Sequence, residues 1–147
     1  MTDNPNAPNN NGYTPIHSAA WNRHTEIVKI LVPLTDNPNA PDDNGNTPIH
    51  WAARYGHTEI AKILAPLTDN PNAPDEYGET PIYLAARFGH TEIVKILCPL
   101  TDNPNAKRNV DTPIHMAASK GHTEIVKILA PFTDNPNAFL FFSKMME

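Results

Sequence analysis

Apolar residues along this chain come in two alternating kinds of short cluster, separated by polar stretches rich in proline, asparagine and glycine. Within residues 42–74 the first cluster is PIHWAARY and the second TEIAKIL. Ile60, Ile63 and Leu64 fall at the spacing of one face of a helix. Thr47 stands where an N-cap is wanted, and Pro48 takes the first helical position, where its missing N–H costs nothing. Gly56 supplies a C-cap, and the small Ala52 and Ala53 let a second helix approach closely. Glu59 near the start of the second cluster and Lys62 further along suit the helix dipole. Pro66 restricts Ala65 away from helical dihedrals, which predicts that the second helix stops close to Leu64. Asn44-Gly45 is a turn signal, and Asn70-Pro71-Asn72 carries type I turn chemistry. The predicted unit is turn, helix, turn, helix, turn, with helices of about eight residues that are too short to persist alone.

The unit recurs. Thr-Pro-Ile begins at 14, 47, 80 and 112, and His-Thr-Glu-Ile at 24, 57, 90 and 122, both with spacings of 33, 33 and 32 residues. A sustained period of this size denotes a stack of units, none of which buries its apolar face alone. The predicted boundaries are 9–41, 42–74, 75–107 and 108–138. Residues 1–8 read as the end of a truncated preceding unit, and 139–147 as an apolar tail, FLFFSKMME.

The motif Asp-x-x-Gly-x-Thr-Pro-x-His-x-Ala-Ala, followed by Gly-His-x-Glu-Ile and a closing Asn-Ala, resembles the ankyrin repeat. Four copies match over residues 9–138. The resemblance implies an all-α solenoid of helix-turn-helix units with L-shaped hairpin fingers and inner helices lining a concave face. It also implies that Thr47 and His50 bond each other and nearby backbone. Departures from the pattern carry their own expectations. Thr68-Asp69 after a proline replaces the usual Gly-Ala, which reshapes the helix exit. Arg23 stands where the other copies have Gly56, Gly89 and Gly121, so it either adopts a left-handed conformation at some cost or the cap differs. Tyr83 replaces the motif histidine, and KRNVDTP in the fourth copy is one residue short, which predicts a distorted finger.

Composition narrows the function classes. A net charge of -5 disfavours generic nucleic-acid or anionic-membrane binding. No apolar run approaches the roughly 20 residues needed to span a bilayer, and the N-terminus has no signal-peptide pattern. A single cysteine, Cys98, cannot form an internal disulfide, which fits a cytoplasmic or nuclear protein, and its position near a helix end predicts a small buried residue. The seven histidines occupy two fixed places in the unit: His17, His50 and His115 in one, His24, His57, His90 and His122 in the other. Such periodic placement points to scaffold bonding rather than metal ligation, and no metal or other cofactor is expected. Neither a phosphate loop, a nucleophile elbow nor a carboxylate pair appears, so no enzyme activity is expected.

Variation between copies is the functional signal. After Ala-Ala the copies carry Trp21, Arg54, Arg87 and Ser119, then Asn22, Tyr55, Phe88 and Lys120. Beside the turn glycine stand Tyr13, Asn46, Tyr77 and Glu79 among others. By the resemblance these columns line the concave face and finger tips. Aromatics and arginines dominate binding energy at interfaces. Trp21, Tyr55 and Phe88 either contact a partner or pad the groove between units, and the column Ser18, Trp51, Leu84 and Met116 reads as inter-unit core. The expected function is a non-catalytic scaffold for a protein partner, contacted through Tyr13, Trp21, Asn22, Asn46, Arg54, Tyr55, Tyr77, Glu79, Arg87, Phe88 and Lys120. Two alternatives are a passive spacer and a substrate of an asparagine hydroxylase, since Asn39 and Asn72 each follow a leucine, Leu31 and Leu64, by eight residues. The apolar tail either caps the last unit or stays exposed, and uncapped ends imply weak self-association.

Overall fold

Residues 4–68, 70–101, 103–105 and 111–132 are described by a computed structural model. Among them the chain forms eight α-helices in four consecutive pairs and no strand: α1 (Pro15–Trp21) with α2 (Thr25–Leu31), α3 (Pro48–Tyr55) with α4 (Thr58–Leu64), α5 (Pro81–Phe88) with α6 (Thr91–Leu97), and α7 (Pro113–Lys120) with α8 (Thr123–Leu129). Odd-numbered helices pack on one another in one layer, even-numbered helices in a second, and each pair bridges the two. The core runs between the layers as a single strip through Ile16, Ile49, Ile82, Ile60, Ile93 and Ile125, all at most 1% exposed.

Local sequence sets each start and stop. Thr47, Thr80 and Thr112 hold extended backbone at the N-cap, and their hydroxyls accept the N–H of His50, Tyr83 and His115. Gly56, Gly89 and Gly121 end α3, α5 and α7 in the left-handed region, and Arg23 takes that same conformation after α1, at φ 61°. The exit of the even helices corrects the expectation drawn from Pro66. Ala65 stays right-handed helical (φ -58°, ψ -44°), and the chain tightens into a 3₁₀ turn, Ala65–Leu67, instead of leaving the helix. Val32, Cys98 and Ala130 do the same. The preference of a pre-proline residue against helix is mild, and a proline at the start of a 3₁₀ turn loses no hydrogen bond there. Cys98 is buried in that turn, and burial pushes its thiol up to about 11. Next comes the expected turn: Ala40 N–H donates to the Asn37 carbonyl at 3.1 Å around Pro38.

Two sets of histidines fasten unit to unit. His17 and His50 accept the N–H of Thr14 and Thr47 at Nδ1, so Nε2 carries the proton and donates to the Asn46 and Glu79 carbonyls of the next finger, both at 3.1 Å. Tyr83 has no ring nitrogen with which to make this double tie. His115 is turned instead toward Asp111, 3.8 Å away. In the second set, His57, His90 and His122 donate to the carbonyls of Trp21, Arg54 and Arg87 in the preceding unit at 3.0, 3.0 and 3.1 Å. The fingers add backbone bonds, Asp43 N–H to Asn11 and Glu76 N–H to Asn44. Asn39 and Asn105 donate to the carbonyls of Leu64 and Leu129 from the closing turn. The distorted fourth finger and the tail at 139–147 fall in part or wholly outside the described residues.

The buried histidines make stability depend on pH. Desolvation by burial lowers His50 from 6.5 to about 4, outweighing its bond to the Glu79 carbonyl, and lowers His17 in the same direction. The unfolded chain therefore binds protons below pH 6.5 that the folded chain refuses, and stability falls as the pH drops. Urea unfolding at pH 6.5 and pH 5 is expected to show a loss of about 2 kcal/mol from His50 alone, and His50→Ala should flatten that slope.

A Cβ on Gly89 would lie 2.8 Å from the His122 ring, whereas one on Gly121 would meet nothing within 4 Å. Gly121→Ala should therefore cost only the left-handed strain, about 1 kcal/mol, and Gly89→Ala about 2–3 kcal/mol because the fastening histidine must also move. Arg23→Gly is expected to raise stability by about 1 kcal/mol. Thermal melts of the three variants check the order.

Candidate functional site

The last turns of α1, α3 and α5 reach the same edge of the stack, and their side chains meet there. Trp21 ends α1, and Trp51 and Tyr55 lie one turn apart on α3, so both face the same way. The three rings are parallel within 10°, with centroids 4.5 Å apart for Trp21–Trp51, 6.3 Å for Trp51–Tyr55 and 6.4 Å for Trp21–Tyr55. Tyr13, from the first finger, meets the stack edge-on, 5.9 Å from Trp21 and 6.2 Å from Trp51. Such contacts add about 1 kcal/mol each beyond the area they bury.

The stripe continues through guanidinium groups. Arg54 Cζ lies 5.9 Å from the Tyr55 centroid and 5.4 Å from that of Phe88, and Arg87 lies 5.2 Å from Phe88. Arg87 also donates to Glu79 Oε2 at 3.3 Å. Burial raises the Glu79 carboxyl, as does nearby Asp75, against the opposing pull of Arg87 and Arg54. Among the described residues Arg54 makes no salt bridge; its guanidinium lies against ring faces and acts on the Glu79 and Asp75 carboxylates through space. The histidine bonds to the carbonyls of Trp21, Arg54 and Arg87 pin the backbone that carries the stripe.

Of the residues singled out from sequence, Tyr13, Trp21, Arg54, Tyr55, Phe88, Arg87 and Glu79 form this one connected row. Trp21, Tyr55 and Phe88 remain 40, 44 and 40% exposed. The other four stand apart from it. Asn22 turns its amide back to the Ser18 carbonyl at the end of its own helix. Asn46 spends its backbone on the scaffold, its N–H on Asp42 and its carbonyl on His17. Tyr77 stands 61% exposed at a finger tip, where its hydrogen bond with Glu76 raises the phenol above its ordinary value. Lys120 is exposed at the end of α7.

Trp51 is the residue the sequence reading misplaced. Its column is mixed rather than core throughout: Leu84 is buried, Met116 half-buried and Ser18 exposed. Trp51 itself is half-buried at the centre of the stack, and its Nε1 is buried with no acceptor in reach. The four-residue step from Trp51 to Tyr55 was the available signal.

Around the stripe the fingers are acidic. Asp42 and Asp75 each accept two backbone N–H bonds that close their finger, through Asn44 and Asn46 or Tyr77 and Glu79. Asp43 and Glu76 are exposed beside them. Among the described residues no helix is long and apolar enough to cross a membrane.

The comparisons with known proteins agree with this architecture. The family model described as ankyrin repeats (3 copies) matches residues 2–75 and 67–139. No curated protein matches the chain. With nearly the whole sequence matched and four stacked helix pairs in place, the chain belongs to the ankyrin-repeat family.

Proposed function

We propose that the chain is a non-catalytic scaffold, working in the cytoplasm or nucleus, that holds a protein partner against the row Tyr13, Trp21, Tyr55, Arg54, Phe88 and Arg87. Ankyrin repeats in general are protein-interaction modules, and a partner class follows from the row's chemistry. The observation that carries the reading is the row itself: exposed rings and guanidinium groups, joined across three helix pairs and held before any partner arrives. Side chains already stacked lose little freedom on binding, which limits the ordering cost. The complementary segment offers a flat or branched apolar side chain to Trp21 and Tyr55, and a carboxylate to Arg54. Tyr77 and Lys120 contribute at the margins, and Asn22 and Asn46 serve the frame under the site.

The hydroxylase-substrate alternative gains no support from burial. Asn39 and Asn72 are 7 and 6% exposed, and their amides bond Leu64 and Ile82 inside the joint between units. An enzyme reaches them only after that joint opens. The spacer alternative is separated from the scaffold reading by the binding experiment itself.

Affinity capture with wild type and with the Arg54→Ala/Tyr55→Ala/Phe88→Ala triple variant is the test. Proteins bound by the first and lost by the second are then titrated singly. Loss of two or three anchors should weaken binding at least a hundredfold, while Lys29→Ala on α2 leaves it unchanged. Equal affinity for wild type and triple variant, with circular dichroism showing both folded, removes the row as the site.

A further inference from the structure

The closing turns form a second surface that the aromatic row does not use. Between the turns of the first two units lies an open depression of about 610 Å³, lined by Asn37, Asn39, Pro41, Leu67, Asn70 and Pro74 among others. Its apolar surface comes largely from leucine and proline. Leu67 ends the 3₁₀ turn after α4 and is 44% exposed. Leu34 and Leu100 hold the same place in the units on either side and are 54 and 45% exposed. The stack buries none of the three, so their place in successive units is not explained by the frame.

The polar part of the surface is a set of held amide donors. Oδ1 of Asn37, Asn70 and Asn103 accepts the N–H of Asn39, Asn72 and Asn105, at 3.1, 3.2 and 3.2 Å. Each bond fixes a side-chain amide whose Nδ2 hydrogens meet no acceptor among the described residues. All three asparagines are exposed, so one oriented N–H donor per unit faces water. The charge is of one sign. No cationic side chain lines the depression, and Asp36, next to Asn37, is exposed with no salt bridge among the described residues.

Spacing selects the occupant. Equivalent points one unit apart are separated by the distance between packed helices, about 8–10 Å. A β-strand returns a side chain to the same face every ~6.7 Å, out of step with the units. A polyproline II helix returns one every three residues, about 9.3 Å, and its carbonyls make no internal hydrogen bonds. We propose that this surface binds a proline-rich, basic segment of a partner protein in the polyproline II conformation, one turn of the segment to each unit. In each triplet one proline rests against the exposed leucine, a carbonyl accepts from the asparagine amide, and an arginine or lysine stands on the acidic side with Asp36. None of these residues belongs to the row, so the two surfaces act independently.

The probe is a labelled nonapeptide of three Pro-Pro-Arg triplets, titrated into the full chain and followed by fluorescence anisotropy. Saturable binding is expected, and a peptide of Gly-Gly-Arg triplets, equal in charge but without the polyproline II preference, should bind at least about tenfold more weakly. The double variant Leu67→Asn/Leu100→Asn should lose at least about tenfold as well, with circular dichroism checking its fold. Both leucines are exposed in the wild type. In nuclear magnetic resonance spectra the side-chain N–H signals of Asn37 and Asn70 should shift on adding the Pro-Pro-Arg peptide. The Arg54→Ala/Tyr55→Ala/Phe88→Ala variant should bind that peptide as the wild type does, which keeps this test separate from that of the row. Absence of saturable binding to the wild type overturns the proposal. So does equal affinity for the Gly-Gly-Arg peptide, and so does binding that survives in the leucine variant but is lost in the row variant.

Discussion

Each helix in this protein is seven or eight residues long, a length at which the cost of nucleation is never recovered within the helix. What holds a helix pair together is the face of the next pair. The alanines and valines that point forward and the isoleucines that point backward are fully buried only where a neighbour covers them. Removing a neighbour exposes them at once, as the ends of the stack show. Stability here is a sum over junctions, and so the frame must be repeated faithfully while everything off the junctions can vary.

The candidate site inherits its rigidity from the same junctions. His57, His90 and His122 each donate to the carbonyl of a residue in the row: Trp21, Arg54 and Arg87. The bond therefore does two things: it joins adjacent pairs, and it fixes the helix end from which Trp21, Arg54 or Arg87 projects. A scaffold histidine and a side chain of the candidate site are two ends of one constraint. Arg23 in place of glycine strains one such helix end, yet His57 still reaches the Trp21 carbonyl at 3.0 Å.

The surface that results has two tones. Rings and guanidinium groups run along the inner helix ends, and carboxylates crowd the fingers beside them. Glu79 pairs with Arg87 and so removes part of that charge from circulation, while Arg54 keeps its own against two ring faces. Asp42 and Asp75 at the finger bases are committed to closing the turns, and Asp43 and Glu76 beside them face water.

Helix starts, glycine caps, the closing turn and the stacking period were all legible in the sequence, because each depends on residues within a few positions of one another. At Arg23 the sequence left two possibilities, a left-handed arginine or a different cap, and the structure takes the first. Seven of the eleven residues chosen for the site do form one row, since variable columns on a repeating frame fall in register. Two things were decided only in three dimensions. Trp51 joined the row instead of the core, because the ring of Trp21, 30 residues away, offered a parallel face at 4.5 Å. Ala65 stayed helical before Pro66, because the 3₁₀ turn it enters asks for no donor there. By itself the sequence determined the elements whose bonds close within a unit, the 3₁₀ exit of the even helices excepted; the tertiary structure decided what lies across a junction, where the contacting groups are some 33 residues apart and local propensity has no say.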